Sequence, residues 1–434
     1  MAGADTRETV DVSLGQAGIP VGSLTYTKQG RRENSAFVYS GEWLADAGRF
    51  KISSDLELIP DHQFRKAPTK DDSPFFFALA DTAPDTWGRR VILRDHAKRR
   101  QRGEKLRDLN ELDFLLAVDD FSRVGALRLC DGDGTYHRTV EAGKRATPPF
   151  VDLAKLYSAS RAVEAGKETE EDLRYLRGNG TSLGGMRPKA TVIDRDGFLA
   201  IGKFPSIKDD RSVTRGEVLA LRLAALAGID AADARIEFIE GVPVALIRRF
   251  DRTAESGRLP YMSAGSMLQA SRQAEHSYTE VVDAMRANSE SPVKDAQQLW
   301  RRMVFNHLIT NVDDHLQNHG FLHCGRGFWR LAPAFDVNPF PDKERESKTW
   351  LSEADGPIVA VEQLLARCAY FNLNNEQAVQ VLADVYKAVS QWREVAFSAE
   401  VGLTAAELED FAPAFEHEAL EDARKALNGA SVRI

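Results

Sequence analysis

The sequence predicts an α+β fold divided into two or three domains. Three observations carry this. Residues 9–60 alternate apolar and polar positions between turn residues; residues 178–206 join a glycine loop to two strand-like runs; and from about 261 onward the apolar period becomes helical. A chain of 434 residues also exceeds the roughly 100–200 residues typical of one domain.

In order, "GSLTYT", "SAFVYS" and "RFKISSDLELI" read as short antiparallel strands, and Ser73-Pro74 marks a helix start ahead of "FFFALADTAPDTWGRRVILRDHAKRR". Residues 130–149, rich in Gly, Pro and charge, read as a linker or exposed hairpin, which puts the first α+β domain at 1–149. A helical pattern over 150–177 leads into the glycine loop and strands of a second unit, 150–260. The third, 261–434, is mostly helical and includes a capping-box spacing at Thr404 and Glu407.

Hydrophobic residues at 43% and charged residues at 28% describe a packed globular chain rather than a disordered one. A net charge of −8 excludes a surface built throughout to coat nucleic acid or anionic lipid. Three cysteines, Cys130, Cys324 and Cys368, are too few and too scattered for a disulfide framework or a Cys-rich zinc module. With no signal-like N-terminus and no run of about 18 apolar residues, a cytoplasmic protein that does not enter the membrane is expected.

In "GTSLGGMRPKATVI", Gly184 and Gly185 let backbone amides approach an anion, and Ser182 and Lys189 add a hydroxyl and a cation. The Walker order is missing, and alone the loop reads as a glycine turn between helix and strand. The next feature adds weight. "KATVI" and "FLAIGKF" flank Asp196-Gly197, the signal for a two-residue type I′ hairpin, which would set Lys203 opposite Ala190 and next to Lys189. A one-residue slip would turn Lys203 to the other face. A strand lysine beside such a loop suits nucleotide phosphates. Glu217, in the first turn of the following helix, either complements the helix dipole or holds Lys203.

The segment "TNVDDHLQNHG" follows a helix. Asp313 and Asn318 have the spacing of the catalytic aspartate and metal-binding asparagine of protein kinases, D-x-x-x-x-N. Asp336, after a second hairpin, stands where a further Mg²⁺ carboxylate is needed, and two oxygen ligands plus phosphate would suffice. His315, His319 and His323 are spaced by four, as zinc ligands on one helix would be, but Gly320 and a strand-like run interrupt that helix. His315 reads instead as a loop-orienting residue.

Together "TSLGGMRPK", "AIGKFP", "RRFDR", "NVDDHLQN" and "LAPAFDV" strongly resemble the HipA family of serine/threonine kinases, toxins of bacterial toxin–antitoxin pairs. "VGSLTYT", "FVYSGEWL", "APDTWGRR" and "LDFLLAVDDFSRVGALRL" extend the likeness over nearly the whole chain. The resemblance implies a bilobal protein-kinase-like core, related to phosphatidylinositol kinases, with an α+β N-terminal subdomain and a mostly helical C-terminal lobe. It implies ATP and Mg²⁺ as cofactors, Asp313 as catalytic base, Asn318 and Asp336 as metal ligands, and Lys203 on the ATP phosphates. Backbone groups around Arg248 and Phe250 would hold adenine, and Ser182 would be the autophosphorylated loop serine. Expected partners are a helix-turn-helix antitoxin, operator DNA through or alongside it, and a protein substrate, which for some relatives is an aminoacyl-tRNA synthetase. The chain departs from the family at Arg248 (often Glu), at Asp314 (often Gly), which would add a carboxylate near the metal, and at Gln317 (often Lys). A catalytically weak scaffold binding antitoxin and operator DNA is the alternative. The basic run "HAKRRQRGEK", 96–105, reads as a solvated helix end, or more weakly as a phosphate contact.

Overall fold

The structure is a computed structural model that describes residues 5–67, 69, 72–137, 152–179, 185–255, 257–271 and 273–431. Strands β1 (Thr6–Leu14), β2 (Ile19–Gln29) and β3 (Arg32–Tyr39) form an antiparallel meander. With β4 (Gln63–Lys66) and β5 (Leu127–Cys130) they give a five-stranded sheet in the order β4-β3-β2-β1-β5. The alternation read from the sequence is its inner face, with Val10, Val12, Leu24 and Phe37 buried.

The run 49–59 is not a strand. Its short polar side chains bond the backbone instead: Ser53 Oγ accepts from Ala78 N (3.0 Å) and Asp55 Oδ1 from Phe77 N (3.2 Å). These bonds also displace the expected helix start. Ser73 Oγ accepts from Phe75 N in a turn, and the helices here are α1 (Gly41–Ala45), α2 (Phe77–Ala80), α3 (Thr86–Gln101) and α4 (Glu111–Ala117). The longest, α3, is capped by Asp85, whose Oδ1 accepts from Gly88 N at 2.7 Å. Within 130–149, the described residues 131–135 close a tight turn.

Helices α5 (Leu153–Ala165) and α6 (Glu170–Asn179) are parted by Gly166 at φ 68°, a left-handed stop. A second sheet, in the order β6-β7-β9-β8, follows: β6 (Lys189–Ile193), β7 (Leu199–Lys203), β8 (Ala234–Ile239) and β9 (Val242–Arg248). Helix α7 (Val213–Leu226) connects β7 to β8. On β9, Val244 and Leu246 join the core containing Leu153 and Trp87, while Ala245 and Ile247 join the one containing α7, so both faces are covered.

The β6–β7 register differs from the expected one. Only Gly197 of the Asp196-Gly197 pair has positive φ (80°), and Asp194 N bonds Phe198 O across a longer turn, so the two-residue type I′ form is absent. Lys203 therefore pairs with Lys189 rather than Ala190, and directly opposed residues share a face. Lys203 also pairs with Ala245, which fixes that face as the one α7 covers.

Beyond it, β10 (Tyr261–Ser263), β11 (Gly320–Gly325) and β12 (Phe328–Leu331) form a small antiparallel sheet. The surrounding helices are α8 (Ala264–Met267), α9 (Tyr278–Asn288), α10 (Pro292–Leu308), α11 (Val361–Arg367), α12 (Asn375–Ser390), α13 (Trp392–Phe397), α14 (Ala405–Phe415) and α15 (Glu418–Ser431). The Thr404–Glu407 capping box is formed at the start of α14. No helix among the described residues is long and apolar enough to cross a membrane.

Candidate active site

Three elements meet at Lys203. From the end of β7 its Nζ donates to Glu217 Oε1 on α7 and to Asp336 Oδ1 after β12, each at 2.6 Å. Glu217 is buried. Asp336 takes a left-handed φ of 53°, unusual for a residue other than glycine, and this turns its carboxyl back toward the lysine. Burial alone would raise Asp336, but the Lys203 and Lys189 charges overrule it and hold the carboxyl at about 2. Burial likewise opposes the charge of Lys203, and Asp336 and Glu217 together raise it above the usual lysine range.

Lys189, on the same face, is committed elsewhere. Its Nζ lies 3.3 Å from Asp85 Oδ2 at the cap of α3, with both groups buried. Burial raises Asp85 and lowers Lys189, so at this pair desolvation outweighs attraction. Gly185 is required where it stands: it has φ 91°, and a Cβ there would lie 2.8 Å from Lys189 Nζ. Ser182 and Gly184 lie outside the described residues.

The catalytic-loop candidates leave α10 on a loop and end in a 3₁₀ turn at Leu316–Asn318. Asn318 Nδ2 donates to Asp313 O at 2.7 Å, which ties the two ends of the motif together and leaves Oδ1 for a cation. Asn318 and Asp336 line one cavity, so the donors brought together are an amide oxygen and a carboxylate, hard ligands that fit Mg²⁺. Asp313 is partly exposed, and its Oδ1 is paired with Lys348 Nζ.

His315 Nε2 is 3.9 Å from Asp313 Oδ1, too far for a hydrogen bond, and burial lowers its basicity. Its contribution to loop order is a backbone one, its carbonyl accepting from Asn318 N at 2.8 Å. The other two histidines face different surroundings. His319 is buried against Tyr278 and pushed down to about 3, while His323 stacks on Phe50 with ring centroids 3.8 Å apart. Among the described residues no group of three or more His, Cys, Asp or Glu gathers to hold a metal.

Asp314 does not present a free carboxylate to a metal. Its Oδ2 accepts from Tyr278 OH (2.6 Å) and its Oδ1 from Lys348 N (2.7 Å), while its carbonyl accepts from Thr349 Oγ1 (2.7 Å). It is a buried clamp between the candidate catalytic loop and residues 348–349. Burial pushes its carboxyl up to about 6 despite these donors. A carboxyl raised in the folded state binds its proton more tightly there than in the unfolded chain, so between pH ~4 and 6 this group makes stability fall as pH rises, by about 3 kcal/mol at most. Asp314→Asn keeps an acceptor for Lys348 N but cannot ionise. Chemical denaturation at stepped pH is expected to show that component of the slope removed.

At the proposed adenine contact, Arg248 N bonds Asp233 O and the Arg248 guanidinium lies 3.4 Å from the Phe198 ring centroid. The Arg248 amide is thus consumed within the sheet. The Phe250 amide and carbonyl have no bonding partner among the described residues, and its ring rests near Phe335 (5.4 Å) and Tyr261 (6.3 Å). Phe250, rather than Arg248, carries the open backbone.

The other residues of "RRFDR" have a role that the sequence reading missed. Asp251 bonds Arg249 Nε (2.9 Å), Arg252 Nη1 (2.7 Å) and Gly125 N (2.7 Å). Arg249 and Arg252 also donate to Arg123 O at 3.1 and 2.7 Å. Arg258 and Arg128 share Asp120 alongside. This buried ionic network fastens the loop before β5 to the segment bearing Phe250. Alternating charges in "RRFDR" were its only trace in the sequence; Asp85 had the trace of an N-cap, and Lys348 had none. Three arginines of the basic run 96–105 are paired locally, Arg99 and Arg102 with Glu104 and Arg100 with Asp108.

Residues 181–392 match the family described as the HipA-like C-terminal domain. The chain is 25% identical over 345 residues to "Putative kinase Y4mE" of Sinorhizobium fredii, covering 73% of this chain and 74% of that protein. It is 22% identical over 187 residues to a Haemophilus influenzae protein named a kinase in the same terms, covering 38% of this chain and 54% of that protein. Among solved structures it superposes, at 15% identity and a TM-score of 0.68, on a chain of the HipA, HipB and operator DNA complex of Shewanella oneidensis MR-1, over 96% of this chain and 97% of that one. The chain therefore has a kinase-like α+β fold and carries a HipA-like C-terminal domain at residues 181–392.

Proposed function

We propose that the protein is an ATP- and Mg²⁺-dependent serine/threonine protein kinase, the growth-arresting toxin of a toxin–antitoxin pair. The observation that carries this is Lys203 held between Glu217 and Asp336 at 2.6 Å each, the strand-lysine to helix-glutamate arrangement on which protein kinases depend. Asp313 and Asn318 supply the catalytic loop facing it.

In this reading Glu217 keeps Lys203 extended, so that its ammonium can exchange the Asp336 carboxylate for nucleotide phosphate. Phe250 offers backbone groups to adenine, with Phe335 and Tyr261 supporting the ring behind it. Asp313 takes the proton from the acceptor hydroxyl as the phosphoryl group is transferred, a contribution typically of 10²–10⁴-fold. Asn318 and Asp336 would hold Mg²⁺, which would supply neutralisation of the phosphate charge.

The partner in this reading is a helix-turn-helix antitoxin, with operator DNA bound through or alongside it; the Shewanella structure is a complex of HipA, HipB and operator DNA. The protein substrate belongs to the class that includes aminoacyl-tRNA synthetases. Autophosphorylation of Ser182 is part of the proposal, since a phosphoserine adds roughly −1.5 to −2 charges where ATP phosphates must sit. Incubation with labelled ATP and Mg²⁺ followed by peptide mass spectrometry is expected to place phosphate on Ser182, with none on an Asp313→Asn variant. Wild-type protein stripped of phosphate beforehand that still takes up no label would remove the active-kinase reading in favour of a scaffold.

A further inference from the structure

We propose that Lys348 is a catalytic residue, the cation that meets the transferring phosphoryl group. The inference rests on the kinase reading above and adds a group which that reading does not contain.

Its ammonium contacts Oδ1 of Asp313, the candidate base. Both side chains are substantially exposed, 56% for the lysine and 41% for the aspartate. A solvent-exposed pair of this kind contributes at most about 1 kcal/mol to stability, so stability gives little reason for the lysine to be there.

Its backbone is held far more firmly than its side chain. Lys348 N and Thr349 Oγ1 both bond the buried Asp314, the residue next to the base, and Tyr278 OH holds the other Asp314 oxygen. On either side, Ser347 Oγ accepts from Ile358 N (2.8 Å), while Trp350 N bonds His276 O (2.9 Å) and Tyr278 N bonds Trp350 O (2.8 Å). The result is a flexible cationic arm on a fixed pivot, with its charge delivered to the reacting carboxylate.

The other nearby lysines have separate tasks: Lys203, held by Glu217, serves the nucleotide phosphates in the reading above, and Lys189 is bound to the buried Asp85. Gln317 is uncharged, and its amide lies over Gly265, where an added Cβ would come within 2.7 Å of it. In the transfer, the bond between the γ-phosphorus and the β–γ bridging oxygen breaks to release ADP. A new bond forms to the acceptor oxygen, whose proton goes to Asp313. Negative charge spread over the in-flight phosphoryl oxygens draws the Lys348 ammonium off Asp313, which frees that carboxylate for the hydroxyl.

The test compares the wild type with Lys348→Met and Lys348→Arg in two measurements. In the first, labelled ATP and Mg²⁺ report turnover. Lys348→Met is expected to lose about a hundredfold in kcat with KM for ATP changed less than about threefold, and Lys348→Arg to recover most of the loss. A kcat within about threefold of wild type, or a loss confined to KM, overturns the proposal. In the second, ADP with aluminium fluoride and Mg²⁺, which imitates the phosphoryl group in flight, is titrated against ADP alone. Lys348→Met is expected to weaken the former about tenfold or more and leave the latter unchanged; equal affinities in both proteins overturn the proposal. The titration needs no turnover. A wild type that binds ADP but transfers no phosphate defeats the kinase reading, while the titration still decides the place of Lys348.

Discussion

Replacing Lys203 by methionine is expected to lower phosphotransfer by about two to three orders of magnitude and to destabilise the fold by about 3–5 kcal/mol at neutral pH. The two losses have separate causes. Activity falls because the cation for the nucleotide phosphates is gone. Stability falls because Glu217 and Asp336, each 2.6 Å from the missing ammonium, are left facing one another within the protein.

The pH dependence follows from the directions of the shifts. In the wild type Asp336 is held at about 2, below its ordinary 3.8, so its stabilisation is present above pH ~4 and is lost as pH falls toward 2. Without Lys203 that depression disappears. Glu217, already raised by burial, rises further, and a raised carboxyl costs stability as pH climbs. The variant should therefore regain stability relative to wild type between pH 7 and 5, as read by urea denaturation. Adding Glu217→Gln should restore much of the stability at pH 7 and none of the activity. Parallel recovery of both would mean that Lys203 acts through folding alone.

Asp251→Ala is expected to be the most damaging change away from the catalytic residues, at about 3–5 kcal/mol. Asp251 is buried and satisfies Arg249, Arg252 and the Gly125 amide together. Its removal leaves two buried guanidinium groups on backbone carbonyls with no counter-charge, and the Gly125 amide without its acceptor. Burial already pulls Arg252 down to about 9 with the carboxylate present. Equilibrium denaturation measures the loss, and hydrogen exchange at Gly125 should accelerate. A change under about 1 kcal/mol would show that the network is compensated elsewhere. Because Phe250 lies between Arg249 and Asp251, the same variant is expected to raise KM for ATP, whereas Asp313→Asn should leave stability close to wild type.

Much of the candidate site was legible because its parts carry local signatures. Asp313 and Asn318 sit at a fixed spacing after a helix. Glu217 lies just past the first turn of the helix that follows the strand of Lys203, and Asp336 trails a hairpin. The misreadings were also local in origin. Asp196-Gly197 looks like a two-residue turn, yet only Gly197 adopts positive φ, and the resulting one-residue difference in register put both lysines on one face. "RFKISSDLELI" alternates like a strand, but its serines and aspartate bond the backbone around α2. Asp314 looked like a charge added near a metal, and it is a buried tie.

Legible along the chain alone were the periods, the Thr404–Glu407 cap, the order of the motifs and the candidates for the reacting groups, since each depends on residues a few positions apart. The tertiary structure decided which charge holds which. Lys189 went to Asp85, Lys203 to Glu217 and Asp336, Lys348 to Asp313 across 35 positions, and Asp251 to Gly125 across 126. Coulomb attraction and desolvation depend on distance and burial in space, which are set by strand register and by the packing of whole elements, and no spacing along the chain encodes them.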